Sequence, residues 1–434
     1  MRSVEKHARS GTVFVVRYAH HRFADVIGEL NMKWSSTGLN HAVSLGAIAI
    51  IWLGWLAILG YCILARNHLA CSCFFPDTVA MSGGKRIIRR IRMPIRLLHQ
   101  TDLFRPYADP DDHWDLACVY ALAASDQLEL GGVLVDFPPD DPPGISPDVT
   151  GIAQLSYLTG LPTHMAVGSS VPYTHDRASL AALPRRDRAG AEFLLDYLRN
   201  SEGPAYISIV GSCRDLAIAG KLDPDLFRNK CAGIYLNAGT GHPDVAKQGG
   251  TEYNVMVNAA AYAATFDIPC PIYWMPCFET LRDYSERKVE RFGTFYRFKQ
   301  SDVLLKLSPV LQSYFTYSLE ARTDARYLQP LLAPKGDASS QYTLRADRDM
   351  WCTAGFFHMV SQAVDKAGKI IAGSNADDAI FGFRPVDIKC DPNGVTTWTN
   401  AGAESNRFLF EVKDPDSYAS AMTAAMATLL GNIQ

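Results

Sequence analysis

From Asp102 to Asp115 five carboxylates fall within fourteen residues: Asp102, Asp109, Asp111, Asp112 and Asp115, in the stretch LHQTDLFRPYADPDDHWDLA. Acidic side chains this close repel one another unless a cation or a hydrogen-bonding ligand offsets their charge. A hard divalent ion suits them, because calcium accepts carboxylates, carbonyls and waters in a loose oxygen shell. A solvated acidic loop is the plain alternative. An apolar strand-like run (Ile95, Leu97, Leu98) precedes the acids and a helix-like run (Leu116 to Ala124) follows them. Pro106 and Pro110 predict a loop between the two. Such a strand–loop–helix unit puts the acids where open α/β sheets bind ligands, at the carboxyl ends of their strands.

The elements that must hold this loop are legible downstream. From Pro94 short β-like runs alternate with helix-like ones, which predicts an open, mostly parallel sheet flanked by helices. Strands are expected at Ile95–Thr101, Gly132–Val135, His164–Val167, Tyr206–Val210, Gly233–Leu236 and Pro271–Met275. Helices are expected at Leu116–Ser125, Val149–Leu158 and Ala189–Arg199. Residues 281–330 read as a helical insertion over the site, within a domain spanning 93–434.

Among 434 residues, 48 % are apolar and 20 % charged, an ordinary globular balance. The net charge of −3 hides an asymmetry: residues 1–92 hold twelve Lys/Arg against four Asp/Glu, and the rest thirty against forty-one. An acidic domain excludes a nucleic-acid partner, since phosphate contacts demand basic surface. The ten cysteines form no CxxC framework, as expected for thiols in a reducing compartment. Residues 1–42 read as a basic extension and 66–92 as a basic linker. Between them Val43–Ala65 is twenty-three residues without a charge, roughly 34 Å as a helix. It predicts a single-pass transmembrane anchor. The basic cluster Lys85–Arg92 places the domain on the cytoplasmic side. A soluble cytoplasmic protein whose fold does not need residues 1–92 is the alternative, and a homo-oligomer is compatible with either.

The order Thr101-Asp102, Pro110-Asp111-Asp112 and then an apolar helix resembles the N-terminal signature of the nucleoside hydrolases. Three later segments extend the resemblance: Gly211-Ser212-Cys213-Arg214-Asp215-Leu216-Ala217, then Glu252-Tyr253-Asn254 ahead of an alanine-rich run, then Asp349 before a helix. The resemblance implies calcium held by Asp102, Asp112, Asp349 and the Arg214 carbonyl. It implies ribose held by Asp111, Glu252 and Asn254, with Asp136 and Asn237, each ending a strand, as further sugar ligands. The family places a His-Asp pair before its C-terminal helix, and the histidine protonates the leaving base. With Asp349 as the aspartate, the histidine position holds Arg348, which cannot donate a proton near neutral pH. His113, His242 and His358 are the other candidates.

The fold implied is Rossmann-like. The function implied is calcium-dependent hydrolysis of the N-glycosidic bond of a riboside, a small-molecule substrate, with Asp111 and Asp112 catalytic. A non-catalytic calcium-dependent nucleoside or sugar binder is the alternative. An aspartyl phosphatase would need a second Asp two positions after Asp102, where Phe104 stands.

Overall fold

In the computed structural model the described residues are 95–434, apart from 107–109, 140–143, 321, 323–324, 335–340 and 375. Asp109 and the expected span Val43–Ala65 therefore lie outside them. The expected membrane placement is corrected: among the described residues no helix is long and apolar enough to cross a bilayer.

Strand β1 (Ile95–Thr101) shows why the centre of the sheet forms. Successive strand residues point to opposite faces, so Leu97 enters one apolar cluster and Leu98 the other. Burial on both faces suits parallel pairing. β2 (Leu128–Val135), β3 (Met165–Val167), β4 (Ala205–Ile209), β5 (Cys231–Asn237) and β6 (Ile272–Met275) all run parallel to their neighbours. β7 (Tyr296–Lys299) and β8 (Asp347–Met350) form a separate antiparallel pair. The C-terminal region, which the sequence reading left without elements, supplies β9 (Phe381–Cys390), β10 (Thr396–Asn400) and β11 (Arg407–Val412). The nine-stranded sheet runs β10-β9-β11-β6-β5-β4-β1-β2-β3, antiparallel only at its β9 and β10 edge. The architecture is mixed α/β with a large, mostly parallel sheet flanked by helices.

Against one face pack α1 (Asp111–Ala124), α6 (Pro309–Leu319), α7 (Thr353–Met359) and α8 (Pro415–Leu430). Against the other pack α2 (Arg185–Asn200), α3 (Arg214–Leu222) and α5 (Ala259–Thr265). The short α4 (Tyr253–Val257) precedes α5. Residues 281–330 hold β7 as well as helices. Trp114 of α1 stacks on Phe315 of α6 with ring centroids 3.9 Å apart.

One boundary differs in a way that matters for chemistry. α1 starts at Asp111, directly after Pro110, so Asp111, Asp112 and Asp115 lie on a helix and not in a loop. The fixed φ of proline suits a helix entry, and carboxylates are favoured beside the N-terminal end of the helix dipole.

Candidate functional site

Beyond the carboxyl ends of β4, β5 and β6 lies a cavity of about 160 Å³. Asp111 faces it from the first position of α1, Val210 from just past β4, and Asn237 from the end of β5. Glu252 and Asn254 line it from the start of α4, and Cys277 from just past β6. Phe278, Arg287, Trp351 and Cys352 complete the wall, with Tyr253 and Leu281. Drug-sized ligands occupy roughly 300–1,000 Å³, so this space suits a single sugar ring.

The carboxylates pack next to it. Asp112 Oδ2 accepts from Thr101 Oγ1 and from the Asp102 amide, both at 2.7 Å. These two bonds tie the end of β1 to the first turn of α1. Asp102 is buried, and a Cβ on Gly211 would stand 3.0 Å from its Cβ, so a side chain in the turn after β4 would press on Asp102. Asp111, Asp112 and Asp115 bring one oxygen each to within 4.8 Å of one another. Helical spacing explains the grouping, since positions four apart share a face. Three buried carboxylates are hard oxygen donors and fit a divalent ion in kind, so this cluster could hold one.

Two of the residues that the resemblance implied for the metal stand elsewhere. Asp349 on β8 lies directly opposite Arg297 on β7. Arg297 grips it with Nε at 2.6 Å and Nη2 at 3.2 Å. Arg214 is the first residue of α3, so its carbonyl belongs to that helix's hydrogen-bond ladder. Its side chain reaches Asp136, with Nη2 3.0 Å from Oδ1, and donates to Ser212 Oγ and the Phe137 carbonyl. Asp136 also accepts from the Ser212 and Phe137 amides. That carboxylate is committed to structure and does not line the cavity.

The cavity residues carry structural bonds of their own. Glu252 caps α4, accepting from the Gly239, Asn254 and Val255 amides. Burial pushes its pKa up while these amides pull it down. Asn254 Nδ2 donates to the Val210 carbonyl at 2.8 Å. Asn237 Nδ2 donates to the Met275 carbonyl and to Thr294 Oγ1, and its Oδ1 accepts from the Cys352 thiol at 3.0 Å. Burial, and beside it the acids Asp115, Asp112 and Asp111, push the Cys352 thiol well up, which keeps it protonated. Cys352 thus closes the cavity over the acid cluster as a neutral thiol.

No histidine lines the cavity among the described residues. His113 lies inside α1, not on a loop, beside the Tyr314 hydroxyl, and burial lowers its pKa to about 4. His358 lies inside α7, meets Tyr235 Oη at 2.8 Å and is likewise lowered to about 4 by burial. His242 lines a separate, more open cavity with Lys247 and Glu279. Arg348 donates to Gln300. The two residues immediately before α7 are Trp351 and Cys352, and both line the cavity.

No protein-family profile matches the chain, and no curated protein matches it. Among solved structures it is similar to an inosine-uridine preferring nucleoside hydrolase from Bacillus anthracis, at 14 % identity, covering 79 % of this chain and 100 % of that one, with a TM-score of 0.40. A plant nucleoside hydrolase is 13 % identical, with 77 % and 99 % covered and a TM-score of 0.46. The type III effector protein XopQ, complexed with adenosine diphosphate ribose, is 13 % identical, with 78 % and 95 % covered and a TM-score of 0.40. Likeness at this level does not decide an activity.

Proposed function

We propose that the cavity takes the ribose of a riboside, and that the chain hydrolyses the bond from that ribose to a leaving group able to depart without a proton. The observation that supports this reading is the convergence on one sugar-sized cavity of Asp111, from the start of α1, with Asn237, Glu252 and Asn254, from the segment that joins β5 to α4. Carboxylates and amides of this kind hold hydroxyl groups and fix a sugar's orientation. Breaking an N-glycosidic bond builds positive charge on the ring, which nearby carboxylates stabilise. Asp111 faces the cavity and accepts the proton of the attacking water.

The acid cluster is proposed to hold calcium through Asp111, Asp112 and Asp115, with Asp102 packed beside Asp112. When bound, the ion would supply Lewis acidity to that water. Calcium at a hundred times its dissociation constant adds about 2.7 kcal/mol of stability, so the melting temperature is expected to rise by a few degrees and to fall again on chelation. Asp112→Asn keeps an oxygen for Thr101 and Asp102 but should remove the calcium response. A melting temperature in the parent that ignores both calcium and chelator would contradict the ion site.

Trp351 and Cys352 favour a second reading, binding without turnover, because neither can protonate a leaving base. Release of ribose from 4-nitrophenyl riboside separates the two. Release is expected in the parent and should drop about a hundredfold in Asp111→Asn, where the proton acceptor is gone. Saturable binding of the riboside with no release of nitrophenolate would leave the second reading standing.

A further inference from the structure

Between β6 and β7 the chain leaves the sheet and comes back on itself. The Thr294 amide donates to the Pro276 carbonyl at 2.9 Å, and the Phe292 amide to the Glu279 carboxylate at 3.0 Å. A Cβ on Gly293 would stand 2.6 Å from the Glu279 amide nitrogen, so the two legs touch there. Closed at its base and short, residues 279–291 form an Ω-loop. The outgoing leg is fastened where the Leu281 amide donates to the Gln248 carbonyl, and the returning leg where the Val412 amide donates to the Arg291 carbonyl, both at 2.8 Å. Arg282 Nε and Nη2 reach Glu290 Oε1 at 3.3 and 3.2 Å, which joins the legs and lets the tip move as one piece. On that tip Asp283, Ser285, Glu286 and Lys288 are exposed. Leu281 and Arg287 instead line the cavity.

Arg287 carries the tip to the body of the domain. Its guanidinium lies 4.7 Å over the Phe278 ring, and its Nη1 pairs with Asp349 Oδ2 at 3.8 Å. Asp349 is itself held on β8 by Arg297 of β7, so the loop is tied to a fixed carboxylate. The Arg287 and Asp349 side chains are 20 % and 6 % exposed, which shields their attraction from water. At 3.8 Å the pair holds by charge and not by a hydrogen bond. Breaking it leaves no bare buried carboxylate, because Arg297 stays on Asp349. The tie is thus firm enough to hold the loop down and cheap enough to release. We infer that residues 279–291 are a lid over the cavity, latched by Arg287 on Asp349, and that ligand enters and leaves when the latch opens. What passes the lid rests on the ribose reading above; the latch rests on the geometry alone.

Hydrogen exchange across the ligand-free full chain, read by mass spectrometry, tests the latch. Arg287→Gln is expected to speed exchange of the amides of residues 282–288 by about two- to fivefold, the worth of one partly exposed ion pair. Asp349→Asn should do the same, and the double variant should add little, because both changes break one contact. Arg297→Gln is the control: it disturbs the β7–β8 pair but leaves Arg287 its carboxylate, so the lid should stay protected. Unchanged exchange of residues 282–288 in Arg287→Gln, or a rise spread evenly over the chain, would overturn the inference. Stopped-flow binding of ribose then reads the gate. In Asp349→Asn, whose substituted side chain lies outside the cavity wall, ribose should both associate and dissociate faster than in the parent. Parent rates in that variant, with exchange sped, would mean that the loop opens without controlling entry, which also overturns the lid. Failure of the parent to bind ribose would strike the ribose reading, while the exchange measurement still decides the latch.

Discussion

Hydrolysis of 4-nitrophenyl riboside is expected to outpace hydrolysis of inosine by about a hundred- to ten-thousand-fold. That is the usual worth of general acid catalysis. Nitrophenolate departs as a stable anion, whereas the purine of inosine leaves readily only once protonated. Among the described residues no histidine lines the cavity to supply the proton. His113 and His358 are buried with pKa values lowered to about 4, so near neutral pH both are unprotonated. His242 lines another cavity, and the Cys352 thiol is held protonated by its surroundings. Trp351→His would place a titratable ring in the cavity wall. It is expected to raise the rate on inosine while leaving nitrophenolate departure nearly as it was, so the gap narrows. Equal parent rates on the two substrates would mean that an effective acid operates in the cavity.

The second large effect is on stability. Arg214→Ala is expected to destabilise the domain by about 3–5 kcal/mol, because it leaves a buried carboxylate without its cation. Arg214 and Asp136 are 6 % and 3 % exposed and 3.0 Å apart. The next residue, Asp215, is already pushed up to about 7, first by burial and then by Asp136, with Arg214 pulling the other way. Removing the guanidinium therefore exposes two acids to each other. Protonation relieves that repulsion: the folded variant binds more protons than its unfolded chain, so its stability falls as pH rises. Chemical denaturation should accordingly show a larger deficit against the parent at pH 8 than at pH 5. A deficit below 1 kcal/mol at both would mean that the pair contributes little.

What could be read in the sequence depended on whether local pattern or tertiary packing decided each element. β5 was legible because a continuous apolar run ends abruptly at Asn237, and β1 because Ile95, Leu97 and Leu98 precede polar residues that run to Thr101 at the ligand edge. Asp111, Asn237, Glu252 and Asn254 were singled out through the family resemblance, and each sits where a strand ends or a helix begins. The start of α1 was missed because carboxylates in a first turn look like loop residues, although the helix dipole favours them there. Asp349 was chosen as the acid ahead of a C-terminal helix. The decisive fact, that the β7–β8 register sets it opposite Arg297, is a long-range pairing with no local trace. Asp136 was misleading in the same way. It ends β2 at the ligand edge, but the cation that claims it stands at the start of α3, on the far side of β1. Strands β9 to β11 join the sheet only through β6, so nothing near them in sequence announced the edge they complete.

The claim on which the rest depends is that the cavity recognises ribose through its hydroxyl groups. Titration calorimetry with ribose and with 2-deoxyribose, at one salt concentration and in the presence of calcium, tests it most directly. The account predicts one ribose site per chain. It also predicts that 2-deoxyribose binds about tenfold or more weakly, because losing one hydroxyl leaves a buried partner unsatisfied at roughly 1–3 kcal/mol. Equal binding of the two sugars, or no saturable heat from ribose, would contradict it.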